Sequence, residues 1–244
     1  MQEVAEGIYR LGAKLVNWYI IVDRGKLTIV DVGNPNQYSQ LPVALAELQR
    51  TPEDIEAIVL THGHGDHVGS SARIKEETGV AVHVHHDDVA LVRGEQEREF
   101  ERHWARDLTH LQAWKTAVFF TKGGVFSVKP VLELSEFTDG DVLDVPGTPR
   151  AIHTPGHTDG ASCILIGGRN AILTGDSLVT LHLGTGTPGA RVMPGAFNKN
   201  SVQALESLDH LHGIKAATVL PGHGEPWVGG LASAIVDAQK MGPS

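Results

Sequence analysis

A chain of 244 residues, 41% apolar and 20% charged, carries enough material for one well-buried domain and has the composition of an ordinary globular protein. Its formal charge of −9, with no basic stripe to reverse it, argues against a nucleic-acid partner, because that affinity comes largely from Lys and Arg displacing counterions. No apolar run approaches the roughly 18 residues that span a bilayer, and the opening MQEVAEGIYR shows no basic-then-apolar leader. With Cys163 as the single cysteine no internal disulfide can form, so the expectation is a cytoplasmic protein without a membrane partner.

In chain order, residues 15–22 (LVNWYIIV) and 27–32 (LTIVDV) read as strands joined by the turn Asp23-Arg24-Gly25-Lys26. Gly33-Asn34-Pro35-Asn36 breaks the second strand, and 39–50 reads as a helix ending before Thr51-Pro52. A short apolar strand at 55–60 then runs into LTHGHGDHVG, followed by a helix over about 69–78 and a strand at 80–85. Between about 95 and 118, Phe100, Trp104, Leu108, Leu111, Trp114 and Val118 recur at steps of three and four. That stripe predicts a helical insertion at about 95–120 that packs on the core, or alternatively a lid or homodimer face.

From about 125 the strand character returns in FSVKPVLEL, VLDVP, RAIHT, SCILIGG and NAILTGD. A Gly/Thr/Pro-rich loop at about 181–197, a helix at 201–212 and a strand at 216–220 complete the pattern. The two halves share a rhythm, each ending a strand in a His-bearing turn, and no low-complexity linker separates them. One α/β domain over 1–244 is the expectation.

The segment 62–67 holds His62, His64, Asp66 and His67. Side chains two apart on an extended chain share a face, so His62 and His64 can point together, whereas on a helix they would diverge by about 200°. Gly63 and Gly65 are expected to allow unusual backbone angles that fold the chain sharply. Four such side chains are too many for one tetrahedral ion that must keep an open position, and suit two ions. Three further turns repeat one device, an apolar strand, a glycine, then a candidate ligand: His157 in HTPGHTDGAS, Asp176 in LTGDS and His223 in LPGHGEP. His85, His86, His103, His110, His210 and His212 lack such a context, and His153 stands just before a ligand turn.

THGHGDHVG, TPGHTDG, TGD and PGHGE, in this order, resemble the metallo-β-lactamase superfamily, as does LTIVDVGNP with its Asp-x-Gly. The likeness runs from about residue 4 to 230 and is weakest in the central helical stretch. It implies an αββα sandwich of two mixed β-sheets flanked by helices. It further implies that His62, His64 and His157 hold one metal, Asp66, His67 and His223 a second, and that Asp176 bridges them. Asp31 matches a position standing behind the ligands.

The resulting expectation is a hydrolase in which two divalent cations share an ionised water that attacks an ester, thioester or lactone carbonyl. Asp66 is the candidate to relay a proton to the leaving group. A set of imidazoles and carboxylates without thiolate fits zinc first, with iron, manganese or cobalt as alternatives. The substrate is expected to be a small molecule, with His182, Arg191, Asn198 and Lys199 as candidate polar contacts and the 181–197 loop and Trp-bearing helices as walls.

Departures narrow the branch. The β-lactamases resembling this pattern with a cysteine at position 176 are a poor match, and Cys163 lies on another strand. The lactonases with a tyrosine soon after the bridging aspartate differ too, since Leu178, Val179 and Thr180 stand there. Only Lys240 is basic near the chain's end, unlike the glutathione-binding region of glyoxalase II. The rival readings are a phosphodiesterase, a mononuclear iron persulfide dioxygenase, and a metal-binding protein without turnover.

Overall fold

The computed structural model describes residues 1–101 and 109–243. The chain opens with four antiparallel strands, β1 (Gln2–Ala5), β2 (Ile8–Ala13), β3 (Val16–Asp23) and β4 (Lys26–Val30). After helix α1 (Gln40–Glu47) the pairing turns parallel. Strand β5 (Ile55–Val59) is followed by helices α2 (Gly65–Val68) and α3 (Ser71–Thr78), then β6 (Ala81–His85) and helices α4 (Val89–Val92) and α5 (Leu111–Gly123). Strand β7 (Ser135–Phe137) ends a sheet whose order among the described residues is β1 to β7.

A second sheet takes β8 (Arg150–His153), β9 (Ser162–Ile166) and β10 (Ala171–Gly175) as antiparallel neighbours. Next come a hairpin of β11 (Val179–Leu181) and β12 (Pro188–Arg191), helix α6 (Ser201–Ser207), strand β13 (Thr218–Pro221) and helix α7 (Leu231–Met241). Strand β13 joins the second sheet parallel to β10.

Period-two alternation decides the layering. On β3, Tyr19 and Ile21 face the second sheet and meet Ile164, Leu173 and Leu220, while Trp18 and Ile20 face α1 and α3 through Leu41, Leu45 and Ile74. The second sheet repeats this, turning Cys163, Ile172 and Val219 towards Ala204 of α6 and Leu231, Ala234 and Ile235 of α7. The result is the expected αββα sandwich of two mixed sheets. Ile21 is fully buried between the sheets, so Ile21→Ala would cost about 2–5 kcal/mol through lost burial and a residual cavity.

Several local readings need correction, among them VLDVP at 142–146, which makes only an isolated bridge from Val142 to Arg150. The segment 126–134 is not a strand: residues 125–127 form a 3-10 turn, and pairing begins only at Ser135. Pro130 has no N–H to give a ladder, and the Val131 N–H goes instead to the Val92 carbonyl. The 181–197 loop contains β12. The amphipathic strands β1 and β2 and the closing helix α7 were not anticipated.

The stripe at 95–118 differs most. Trp104 and Leu108, like His103, lie outside the described residues, and Phe100 belongs to no described helix. On α5 the residues expected to pack inward point out, with Leu111 71% and Trp114 53% exposed. The buried face is Ala113, Thr116 and Phe120. Among the described residues no helix is long and apolar enough to cross a membrane.

Candidate metal centre

Strands β4, β5, β8, β10 and β13 all run out at one edge of the sandwich, and the residues just beyond them meet there. His62 and His64 follow β5 in a turn, as the spacing argument required, while Asp66 and His67 occupy the single turn of α2. His157 follows β8, Asp176 follows β10 and His223 follows β13. All seven are buried.

The glycines between them act by absence of bulk rather than by the unusual backbone angles expected. Neither Gly63 nor Gly65 has a positive φ. A Cβ on Gly63 would lie 2.8 Å from Leu91 Cδ2, and one on Gly65 2.5 Å from the Val125 carbonyl oxygen. At Gly222, next to His223, a Cβ would meet Asp176 Oδ1 at 2.2 Å.

Three nitrogens converge first. His157 Nε2 lies 2.8 Å from His64 Nδ1 and 3.1 Å from His62 Nε2. Nitrogens around one tetrahedral zinc at about 2.0–2.1 Å would stand roughly 3.3 Å apart, so the spacing fits a shared cation. On the other side, Asp66 Oδ2 lies 3.6 Å from His67 Nε2 and 3.5 Å from His223 Nε2. Asp176 reaches both groups: Oδ1 is 3.4 Å from His67 Nε2, and Oδ2 is 2.9 Å from His223 Nε2 and 3.4 Å from His157 Nε2. His67 Nε2 and Asp176 Oδ1 are buried without a hydrogen-bond partner, a costly arrangement that a cation between them would relieve.

Outer contacts orient four of the five imidazoles. His67 Nδ1–H donates to Asp31 Oδ2 at 2.8 Å, His157 Nδ1–H to Asn198 Oδ1 at 3.0 Å, and His62 Nδ1–H to the Thr61 hydroxyl at 3.1 Å. His223 Nδ1–H donates to the Leu15 carbonyl. Each bond leaves Nε2 aimed inward. Asp31 is fixed in turn by the Thr61 N–H and hydroxyl, both at 2.8 Å.

Charge follows the same division. Burial, then the neighbouring imidazoles, keeps His62 and His64 well below the usual histidine range, and burial lowers His157. Burial also opposes a charged His67, but Asp176, Asp31 and Asp66 outweigh it and raise that group to about 10. Although burial disfavours its charge, Asp176 is held well below the carboxylate range by His223 and His67. One side thus offers neutral lone pairs, and the other draws in positive charge.

Sequence reasoning missed Asp88. This buried carboxylate accepts from the Gly63 N–H at 2.7 Å, the Thr158 hydroxyl at 2.7 Å and the Gly160 N–H at 2.8 Å. It ties the turn carrying His62 and His64 to the one carrying His157. The available signal was a carboxylate just past an apolar strand, masked by the run His85-His86-Asp87-Asp88. Asn17 has a similar task, its side chain donating to the Pro221 and Gly224 carbonyls on either side of His223.

Of the expected polar contacts, Asn198 instead bonds His157, and Lys199 pairs with Asp159 at 2.7 Å and Glu99 at 2.9 Å. Arg191 is buried against the carbonyls of Pro188 and Gly189, and His182 Nδ1 accepts from the N–H groups of Gly184 and Thr185. None of the four lines the cavity over the centre. The expected loop does line it, through Leu183, Met193 and Phe197, and so does α5, though not through Trp114. His85, Asp87 and His153 form a separate group, with the two imidazoles stacked 4.1 Å apart. One nitrogen of each is already engaged, His85 Nδ1 by the Asp87 N–H and His153 Nε2 by the Asp159 carbonyl.

Comparison with known proteins agrees with this geometry. The family model described as the metallo-beta-lactamase superfamily matches residues 11–223, which include all seven side chains. The chain belongs to that superfamily. It is 26% identical over 239 residues to the probable metallo-hydrolase YflN of Bacillus subtilis, covering 93% of this chain and 87% of that one. Among solved structures, the metallo-beta-lactamase family protein TTHA1429 of Thermus thermophilus superposes with a TM-score of 0.67 at 25% identity, over 98% of this chain and 79% of that one. TTHA1623, solved in a di-iron-bound form, superposes with a TM-score of 0.61 at 25% identity, over 92% and 96% of the two chains. The superfamily binds divalent metals through His/Asp clusters of the kind gathered here.

Proposed function

We propose that this chain is a dinuclear metal-dependent hydrolase of ester, thioester or lactone carbonyls. His62, His64 and His157 hold one divalent cation, Asp66, His67 and His223 a second, and Asp176 bridges the two. The observation that carries the reading is Asp176 itself, with one oxygen 3.4 Å from His67 Nε2 and the other 3.4 Å from His157 Nε2. The donor set of imidazoles and carboxylates favours zinc, with iron or manganese as alternatives.

Such a pair of cations supplies Lewis acidity, polarising a carbonyl and lowering the pKa of water from 15.7 towards about 7. The chain's residues do the rest. Asp31, Asn198, Thr61 and Leu15 keep the imidazoles aimed, so little reorganisation accompanies reaction. Asp66 lines the cavity and stands where it can pass a proton to the departing oxygen or sulfur as the acyl bond breaks. No protein nucleophile is required, and Cys163 is fully buried on β9.

The test is metal analysis paired with a hydrolysis panel of esters, thioesters, lactones and phosphodiesters, run before and after chelation. About two cations per chain, with carbonyl turnover lost on chelation and restored by metal, is the expected result. One iron per chain with sulfur-dependent oxygen uptake, or turnover of phosphodiesters alone, would overturn it.

A further inference from the structure

A cavity of about 270 Å³ opens over the centre, at the small end of the roughly 300–1,000 Å³ typical of ligand sites. Its floor is His64, Asp66, His157, Asp176 and His223. Its walls come from α5 (Ala113, Ala117, Phe120), from Val125 and Phe126, and from the loop carrying Leu183, Met193 and Phe197. Little polar recognition is on offer there. The Thr116 hydroxyl is spent on the Leu183 carbonyl at 2.8 Å, and the Arg98 guanidinium donates to the Val125 carbonyl at 2.9 Å.

A second, far smaller recess of about 10 Å³ meets this cavity at His64, Arg98 and His157 and opens outward from it. Its character is opposite, with Gln96, Glu97, Glu99, Asp159 and Lys199 around it. A substrate whose reacting carbon sits over the centre therefore has an apolar side and a charged side to choose between.

We propose that the cavity receives the apolar acyl group of the substrate, while the polar leaving group lies towards the charged recess. This rests on the hydrolase reading and names the substrate class for that site. At about 30 Å³ per water-sized group the cavity takes on the order of nine heavy atoms, which corresponds to an acyl chain of about six to eight carbons. Water adds to the acyl carbon, the acyl–oxygen or acyl–sulfur bond breaks, and the proton goes to the leaving atom. The products are a medium-chain carboxylate and an alcohol or thiol. A short acyl group leaves the walls wet, and a long one projects beyond them.

The experiment measures kcat/KM of the metal-loaded protein on 4-nitrophenyl esters from acetate to dodecanoate. In parallel, calorimetry follows binding of acetate, octanoate and dodecanoate as free carboxylates. The expected profile rises about fourfold per methylene up to about eight carbons and then falls, and octanoate binds more tightly than either other acid. Ala117→Trp, which fills the cavity, lowers the octanoate-to-acetate ratio at least tenfold in both measurements, and Phe197→Ala moves the optimum to longer chains. Circular dichroism confirms that each variant folds.

Octanoate binding that Ala117→Trp abolishes, in a protein that cleaves no ester, would sustain this pocket assignment and sink the hydrolase reading. Ester turnover with a flat chain-length profile and no preference for octanoate would overturn the pocket assignment and leave the hydrolase reading standing.

Discussion

Asp31 Oδ2 stands 2.8 Å from His67 Nδ1, and the same carboxylate is pinned by the N–H and hydroxyl of Thr61, next to His62. One side chain at the end of β4 therefore sets the orientation of a histidine on α2 and the path of the turn before it. Asp31 does this from a left-handed backbone conformation, φ 56°, that aspartate tolerates better than most residues. Asp31→Ala is expected to weaken metal binding about 10–100-fold, because His67 loses both its orientation and its negative neighbour. Titration against a chromophoric chelator measures this, and unchanged affinity would mean that the contact is idle.

Asp176→Ala removes the only carboxylate lying within 4 Å of imidazoles from both groups, His62 and His157 on one side and His67 and His223 on the other, among the described residues. Turnover should fall by at least 10²–10³, roughly the effect of losing one strong electrostatic contact to a transition state. Metal content should drop while the circular dichroism spectrum persists. A variant retaining full metal and rate would remove Asp176 from the bridging position.

Asp88→Ala strands three buried donors, the N–H groups of Gly63 and Gly160 and the Thr158 hydroxyl. An unpaired buried donor costs about 1–3 kcal/mol, and the three share one site, so a loss of about 3 kcal/mol is the expectation. Urea denaturation reads it. Asp88→Asn should recover part of the loss, since its single carbonyl oxygen can still accept from one side.

Acidity should act on the metal-free protein from both directions. His62, His64 and His157 are held below the usual histidine range, so below about pH 6.5 the unfolded chain binds more protons and stability falls as pH falls. His67 is raised to about 10, so its contribution is complete below about 6.5 and disappears as pH rises through 10. Chelated protein should therefore be most stable near neutrality. A stability flat from pH 5 to 10 in urea titrations would contradict this assignment of charges.

Cys163 is fully buried, and burial raises its thiol to about 11. At pH 8 the thiolate fraction is then on the order of 10⁻³, and access is blocked as well. Native protein should resist a thiol reagent at pH 8 for as long as it stays folded, with full modification in denaturant. Rapid labelling of the native form would show that the second sheet opens.

The candidate ligands were legible because they repeat a local device, an apolar strand followed by a glycine and a candidate ligand, which needs no tertiary knowledge to see. The strands around Trp18 and Ile58 were legible as short β-rich apolar runs bounded by turn residues. What escaped was set by distance. Asp88 looks like one of several acidic residues until the turn after β6 is placed against the turn after β8, and Asn17 has meaning only once the chain near 221 lies against β3. The 95–118 stripe misled because helical periodicity identifies a face without saying where it points. On α5 Ala113, Ala117 and Phe120 face the cavity, while Leu111, Trp114 and Val118 face outward.

Asn17 holds the backbone around His223 across more than two hundred positions of chain, through bonds to Pro221 and Gly224. During synthesis the amino-terminal sheet can form early, but Asn17 finds its two acceptors only after the chain around His223 has been made. Any cation held by the proposed set of seven can therefore be enclosed only after position 223 has been made.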